Sequence, residues 1–392
     1  MSKEIKRREF LNKSLGGLLF ASGIKGLNFS ISAGKSNEKN YAEYKRLIWV
    51  KTSGSPRDIG NQYGEMLKDR LVEHCKRITS SINKRYKKNV IEKVRKKKLE
   101  LFGHEFPYLV EEMRGIAEGA GISFDDYSIS VLSGNFDVYA KEGDECTNII
   151  FKESDDGPIL GKTLDGSKPD SYDSVSILRL IKPKNGISLL CLTRIDGIST
   201  ETGLNDKGLA LGESSIHFFT TNPRGFRRDH LLRPLLSECH NVEEGINFLA
   251  GNPTIRSGFN YTMVDIGGNA AVMERSPTAC FPRRTDGKVI FATNHTATPC
   301  IRKLEKSRGE VGDKNSDDRF EFLKKITSAD NFKLSLESMK EVLRSHNEPA
   351  GVCQHGTYLY TRRGYINLVK EKKFFFSPGH PCKNEFLEFV IS

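Results

Sequence analysis

A chain of 392 residues with 37% hydrophobic and 28% charged residues is globular in composition and long enough to bury a large core. No stretch approaches the ~18 apolar residues that a membrane span needs. The net charge of +11 comes from two short segments, which argues against a nucleic-acid-binding surface: six basic residues face Glu4 and Glu9 in residues 1–33, nine face Glu92 alone in 84–98, and only Tyr86 interleaves with the second group.

In chain order, the first element is a leader. Lys6-Arg7-Arg8-Glu9-Phe10-Leu11 precedes a moderately apolar stretch from Leu15 to Ile24, broken by Lys25. This resembles a twin-arginine export signal, a receptor-read address rather than an anchor. The expectation is a leader over 1–33, cleaved near Ala33, and a periplasmic or extracellular protein. A basic amphipathic helix is the alternative, and the Phe-Leu after the arginine pair argues against it. Residues 34–45 are polar and read as a linker. Helices are expected over 58–139. Ile59, Tyr63, Leu67, Leu71, Cys75, Ile78 and Ile82 recur every three or four positions, as one helix face requires. The basic run 84–98 reads as an exposed helix. Another helix takes Pro107 in its first turn and stops at Gly119–Gly121, and Ser123 with Asp125 and Asp126 caps the next.

Beyond residue 145 the pattern becomes strand-like. Gly143-Asp144-Glu145 is a turn, and Cys146 opens an apolar run to Phe151. Gly157-Pro158 turns the chain into a second run that ends at Asp165. Further runs cover 174–181, 187–195, 208–216, 261–265, 270–274 and 289–293, and the turns at 205–208 and 266–269 join hairpins. Helical stretches at about 229–250 and 317–345 interrupt the strands, and four short runs close the chain at 358–361, 365–369, 374–376 and 386–391. Mostly antiparallel sheets with segregated helices predict an α+β fold, two sheets sandwiched between helices.

Eight cysteines without a Cys-x-x-Cys pair give neither a zinc ribbon nor a thioredoxin motif, and no disulfide framework is expected. Cys353-Gln354-His355 and His380-Pro381-Cys382 contain four potential zinc ligands, but the single-residue spacing is tighter than usual. No metal and no cofactor is therefore expected. Cys146 stands apart. A chain cut just before it would place a free α-amine beside the thiol, so one residue would carry nucleophile and base. The reference pKa of an α-amine, ~7.7–8.0, lies close enough to the thiol's ~8.5 for that transfer. An oxyanion formed on attack needs donors, and Asn294 at a strand end offers a side-chain amide.

Seven blocks in order then resemble one family. They are Gly54-Ser55-Pro56-Arg57-Asp58-Ile59-Gly60-Asn61-Gln62-Tyr63-Gly64-Glu65, Met113-Arg114-Gly115-Ile116-Ala117-Glu118-Gly119-Ala120-Gly121, Cys146-Thr147, Gly203-Leu204-Asn205-Asp206-Lys207-Gly208-Leu209-Ala210, Asn294-His295, Cys353-Gln354-His355-Gly356, and Gly379-His380-Pro381-Cys382. Together, over roughly 47–390, they resemble the acyl-CoA:6-aminopenicillanic acid acyltransferase family of N-terminal nucleophile hydrolases. The resemblance implies an αββα fold and a precursor that cuts itself before Cys146. It implies a helical pro-segment or small chain over 34–145 that stays associated with a catalytic chain over 146–392. It implies Cys146 as nucleophile, Asp165 orienting the α-amine or a substrate amide, Asn294 as oxyanion donor and Arg319 near the site. Glu145 departs from the small residue that the family often has before the nucleophile. His295 reads as a structural histidine, because the α-amine would already serve as base.

The expected activity is hydrolysis or acyl transfer on a linear amide or thioester of a small molecule, through an acyl-enzyme on Cys146. Two other readings are a non-catalytic binding protein on the same fold, left uncut, and a papain-like peptidase. The second lacks the Cys-Gly-Ser-Cys-Trp context.

Overall fold

The computed structural model describes residues 41–44, 46–136, 144–166, 175–251, 255–346, 351–356 and 358–391. The expected export leader and the expected cleavage near Ala33 therefore lie outside the described residues, as does most of the expected linker. Tyr41–Tyr44 forms a strand, β1, and Leu47–Gly54 a second, β2. These were not expected from the polar run at 34–45, and they make the segment before Cys146 partly β rather than wholly helical. β2 is buried by its own side chains, Leu47, Ile48, Trp49 and Val50.

Five helices follow: α1 Pro56–Met66, α2 Lys68–Arg85, α3 Lys88–Glu105, α4 Pro107–Ala120 and α5 Phe124–Val131. Local chemistry sets their ends. Ser55 and Asp58 form a reciprocal capping box with Pro56 in the first turn of α1. Gly121, at φ 68°, ends α4 in the left-handed conformation, and the Ser123 side chain caps α5. The apolar face expected over 59–82 is one stripe on two helices, broken at Leu67. The basic run expected as one helix over 84–98 is split, with Lys84 and Arg85 ending α2 and the residues from Lys88 onward on α3. Most of its charges face outward, Arg95 pairs with Glu92 and Asp125, and Lys98 is buried with its ammonium donating to the Gly225 carbonyl.

The remaining strands are β3 Asp144–Phe151, β4 Ile159–Gly166, β5 Ser176–Pro183, β6 Leu189–Thr193, β7 Thr200–Asn205, β8 Leu209–Ile216, β9 Gly258–Asp265, β10 Ala270–Arg275, β11 Cys280–Arg283, β12 Val289–Ala292, β13 Tyr360–Leu368, β14 Lys373–Ser377 and β15 Leu387–Val390. The helices among them are α6 Asp229–Glu238, α7 Val242–Gly251, the short α8 Pro299–Arg302, α9 Glu310–Thr327 and α10 Leu336–Arg344. Among the described residues two sheets form. One has nine strands in the order β1-β2-β5-β6-β7-β8-β9-β10-β11, and the other has six in the order β12-β3-β4-β13-β14-β15. Pairing is antiparallel except where β2 runs parallel to β5.

The sheets face each other across an apolar layer. Trp49, Leu178, Leu190 and Val264 come from the first sheet, and Ile150, Leu164, Tyr365 and Phe376 from the second. On the far face of the nine-stranded sheet lie α1, α2, α4 and α5 at one end and α6 and α7 at the other. On the far face of the six-stranded sheet lie α9 and α10. The α+β sandwich expected from the strand and helix runs is thus four layers, helix, sheet, sheet, helix.

Candidate active site around Cys146

Cys146 is the third residue of β3, and successive strand residues face opposite sides of a sheet. Cys146 and Ile150 point into the layer between the sheets, while Ile149 and Phe151 point toward α9 and α10. The thiol is therefore sealed, with 1% of the residue exposed. One polar side chain reaches it within the layer. Lys162, on neighbouring β4 and fully buried, donates from Nζ to the Cys146 sulfur at 3.0 Å and to the Glu213 carbonyl oxygen at 2.8 Å. The Glu213 carboxylate lies 3.7 Å from the same ammonium.

Burial pushes the Cys146 thiol up to about 12, and the Lys162 charge works against that rise. For Lys162, burial disfavours the ammonium, but the fields of Cys146 and Glu213 outweigh it and the group is raised. The Glu213 carboxylate is an ion partner of Lys162, and the Cys146 sulfur accepts a hydrogen bond from the same ammonium.

The backbone of Cys146 is held from the other side. Its N–H donates to Asn294 Oδ1 at 3.0 Å, and Arg319 Nη2 donates to the same oxygen at 3.0 Å. Two donors on one atom fix that atom as the amide oxygen. Asn294 Nδ2 is consequently turned to the Ser215 carbonyl at 3.0 Å. Asn294 reaches Cys146 because β12 pairs with β3, Ala292 opposite Asn148, and because its own N–H is held by Ser316 Oγ at 2.9 Å.

Arg319, from α9 and fully buried, spans the Glu145–Cys146 bond. Nη1 donates to the Cys146 carbonyl at 2.9 Å and to Thr147 Oγ1 at 2.8 Å, Nη2 also donates to Glu145 Oε2 at 3.1 Å, and Nε donates to Asn315 Oδ1 at 2.9 Å. The other Glu145 oxygen accepts from the Tyr358 hydroxyl at 2.7 Å. The unusual carboxylate before Cys146 is thus buried and neutralised in place, not directed at the thiol.

Asp165 sits opposite Glu145 in the β3–β4 register. Its carboxylate accepts from Thr361 Oγ1 at 2.6 Å and Thr163 Oγ1 at 3.1 Å, and those bonds, not one to Cys146, hold it in the uncut chain. Burial raises it to about 6, against the lowering effects of Arg319 and the two threonines. His295 is structural in its contacts. Its Nδ1 lies 2.9 Å from Ser316 Oγ, and burial followed by nearby arginines lowers it to about 3.

Cys146, Asn294 and Arg319, three expected site residues, therefore converge in direct contact, and Asp165 stands one register pair away. Lys162, Glu213, Tyr358 and Ser215 were not anticipated. For Lys162 a signal existed, since it is a charge inside the apolar run Ile159–Leu164, and lysine is seldom fully buried without a partner. Nothing in the sequence marks the other three. Two cations flank Cys146, Lys162 at the sulfur and Arg319 at the carbonyl, and each is paired with a carboxylate, Glu213 and Glu145. Among the described residues no helix is long and apolar enough to cross a membrane.

The family model described as acyl-coenzyme A:6-aminopenicillanic acid acyl-transferase matches residues 152–359. That stretch is 208 of the 392 residues and contains Asp165, Asn294 and Arg319, while Cys146 lies six residues before it. No curated protein matches the chain in sequence. Among solved structures, the chain is similar to an N-acylethanolamine-hydrolyzing acid amidase ortholog from Caenorhabditis elegans, at 15% identity and a TM-score of 0.43, covering 63% of this chain and 100% of that one. It is similar to a conjugated bile acid hydrolase from Clostridium perfringens, at 13% and 0.42, covering 63% and 97%. It is also similar to a penicillin V acylase from Agrobacterium tumefaciens, at 14% and 0.33, covering 59% and 83%.

Proposed function

The chain belongs to the acyl-coenzyme A:6-aminopenicillanic acid acyl-transferase family, and from that premise we propose that it is a self-processed cysteine amidohydrolase or acyltransferase whose nucleophile is Cys146. The observation that carries this reading is the convergence of Lys162, Asn294 and Arg319 on the sulfur, the nitrogen and the carbonyl of this one residue.

In the first step the Cys146 sulfur attacks the Glu145 carbonyl carbon. A C–S bond forms, the Glu145–Cys146 C–N bond breaks, and the thiol proton ends on the freed nitrogen. Water then hydrolyses the thioester, leaving a Glu145 carboxylate and a Cys146 that carries both a thiol and an α-amine. Arg319 holds both flanks of the bond, so the reacting atoms stay aligned as it breaks. In the second reaction the α-amine takes the thiol proton, and the sulfur attacks the acyl carbon of a linear amide or thioester. The leaving amine or thiol takes the proton as it departs, and water or an amine acceptor releases the acyl group from Cys146. Lys162 stabilises negative charge on sulfur throughout. The Asn294 carbonyl, already on the Cys146 nitrogen, would hold the new α-amine, with Asp165 supplying negative charge one register pair away. The Asn294 amide can serve an oxyanion only after turning from Ser215.

Hydrolysis of a small-molecule acyl-amide is the reaction this reading favours. It also keeps the twin-arginine leader over 1–33, which predicts an exported protein. Fractionation that found the mature protein only in the cytoplasm would remove that part of the proposal.

Purified protein should show a large fragment of about 28 kDa, the 247 residues from 146 to 392 of a 44.1 kDa chain, beginning at Cys146. Cys146→Ala should give one uncut band and no hydrolysis across a panel of acyl-amides of differing chain length. A wild-type protein that stays uncut yet binds acyl-amides without turnover would favour the binding-protein reading.

A further inference from the structure

Away from Cys146, the fold gathers four soft ligands that the sequence spaces awkwardly. The ligand atoms of His346, Cys353, His355 and Cys382 all lie within 4.8 Å of one another. They come from three places: His346 follows α10, Cys353 and His355 lie in the loop before β13, and Cys382 lies in the turn after β14. The Cys353 and Cys382 sulfurs lie 3.5 and 3.3 Å from His355 Nε2. A tetrahedral zinc site, with Zn–S ~2.3 Å and Zn–N ~2.0–2.1 Å, has an S···N edge of about 3.6 Å. Two edges of the cluster, those from His355 Nε2 to the two sulfurs, are therefore already close to tetrahedral length.

Contacts outside the four ligand atoms hold the cluster together. Cys353 N–H donates to the Ser345 carbonyl at 2.9 Å, which folds the loop back against the end of α10. Gly351 permits that close return, since a Cβ there would lie 2.5 Å from His346 Cα. Arg344, two residues before His346, donates from Nε to the Pro381 carbonyl at 3.1 Å and so ties α10 to the turn carrying Cys382. His355 forms a bridge with Tyr360, and its ring stacks on His380 at 3.8 Å. His380 is itself buried, and its Nδ1 has no hydrogen-bond partner.

The single-residue spacing of Cys353 and His355 looked too tight for a zinc knuckle. The local fold nevertheless brings the Cys353 sulfur to 3.5 Å from His355 Nε2. The remaining ligands then come from elsewhere in the chain, so no knuckle is needed.

We propose that His346, Cys353, His355 and Cys382 form a structural zinc(II) site that clamps the loop before β13 to α10 and to the C-terminal turn. Binding one zinc ion releases the two thiol protons and leaves a neutral Cys2His2 centre. Four protein ligands close the coordination sphere, which assigns the site to structure rather than catalysis. The clamped loop carries Tyr358, which bonds Glu145, and leads into Thr361, which bonds both Gln354 and Asp165. The site thus fixes the outer face of the catalytic region from a distance.

Metal content and cobalt(II) substitution test it on the full chain, in wild type and in Cys146→Ala. The second protein separates this proposal from the nucleophile reading, because metal binding there owes nothing to processing. Protein purified and reconstituted under reducing conditions should hold about one zinc per chain. Cobalt should give the visible bands of a tetrahedral centre and the near-ultraviolet band of thiolate ligation. Cys382→Ser and the exposed His346→Ala should lose the zinc or bind it at least about tenfold more weakly. Cys280→Ser and Cys300→Ser, at exposed cysteines outside the cluster, should keep it. Reconstituted wild type without stoichiometric zinc, a cobalt spectrum without thiolate ligation, or a Cys353–Cys382 disulfide in protein isolated with thiols blocked would each overturn the proposal. The wild-type spectrum decides the matter even if a variant fails to fold.

Discussion

Burial pushes the Cys146 thiol up to about 12, and Lys162 is the cation that opposes it, 3.0 Å from the sulfur. Removing one such stabiliser of developing charge typically lowers a rate by ~10²–10³. Lys162→Met is therefore expected to slow both self-cleavage and turnover by about 10²-fold and to move the pH–rate profile to higher pH, while Lys162→Arg retains most of the rate. Stopped reactions resolved on gels across a pH series check this, and an unshifted profile would make Lys162 a packing residue. Asp165 gives a pH signature in stability. Its carboxyl titrates from 3.8 to about 6 on burial, so the folded chain holds the proton more tightly than the unfolded one. That contribution is fully present below pH 3.8 and is lost as pH rises through about 6, a change of ~3 kcal/mol. In the uncut Cys146→Ala background, Asp165→Asn should thus gain on its parent by roughly 3 kcal/mol between pH 4 and 7, read from urea midpoints. A pH-independent difference would mean that the carboxyl is not buried as described. Glu145 is different in kind. It is the carboxylate partner of a fully buried arginine, and leaving such a charge unpaired costs ~3–5 kcal/mol. Glu145→Ala in the same background should lose about that much.

Helices α1 and α4 cross with almost no side chain between them. A Cβ on Gly60 or Gly64 would lie 2.1 Å from the Glu112 carbonyl oxygen or 2.3 Å from that of Ile116, and one on Gly115 or Gly119 would lie 2.2 Å from the Arg57 oxygen or 2.1 Å from that of Asn61. Two of the seven family-like blocks are thus the two faces of one helix crossing, and backbone contact explains their glycines. Gly119→Ala should destabilise the protein by about 2–3 kcal/mol through overpacking. Gly103→Ala on α3 has nothing within 4 Å of its added Cβ, and should be neutral or stabilising by up to ~1 kcal/mol. Equal effects of the two in thermal melts would contradict the close crossing.

At the scale of the whole molecule, the segment before Cys146 is not an appendage. β2 lies between β1 and β5 in the nine-stranded sheet, paired along eight positions with β5, and Trp49 stacks on Phe389 of the opposite sheet at 5.3 Å. Tyr63, Leu71, Met113 and Ile116 bury the far face of that sheet. A cut at Glu145–Cys146 breaks one covalent bond and none of these contacts. The two fragments should therefore co-elute on size exclusion in buffer and separate only in denaturant; fragments that separate in buffer would show that the small chain is a removable propeptide.

Much of this architecture is written along the chain. The strand-like runs after Cys146, the periodic face over 59–82, the helix stop at Gly119–Gly121 and the cap at Ser123 are local, and local chemistry suffices to form them. Cys146 and Asn294 stood out as candidates because their types suit acyl chemistry and their surrounding blocks resemble a family in order, Arg319 through a looser resemblance, and the fold brings the three into contact. Other features had no local signature. β2 is a short buried run that only its neighbours in the sheet make a strand. Lys162 is one charge in an apolar segment until the fold sets a sulfur beside it, and Asp165, on the strand paired with that of Cys146, bonds to Thr361, 196 positions away. His346 carried no signal at all until α10 and the C-terminal turn brought it to Cys353 and Cys382. Local sequence set most of the helices and strands and which residue types are available for chemistry, because those depend on neighbours a few positions apart. Tertiary structure alone decided which charges meet beside the apolar layer, where contacts across many residues set proton affinity, bond alignment and the proposed zinc site.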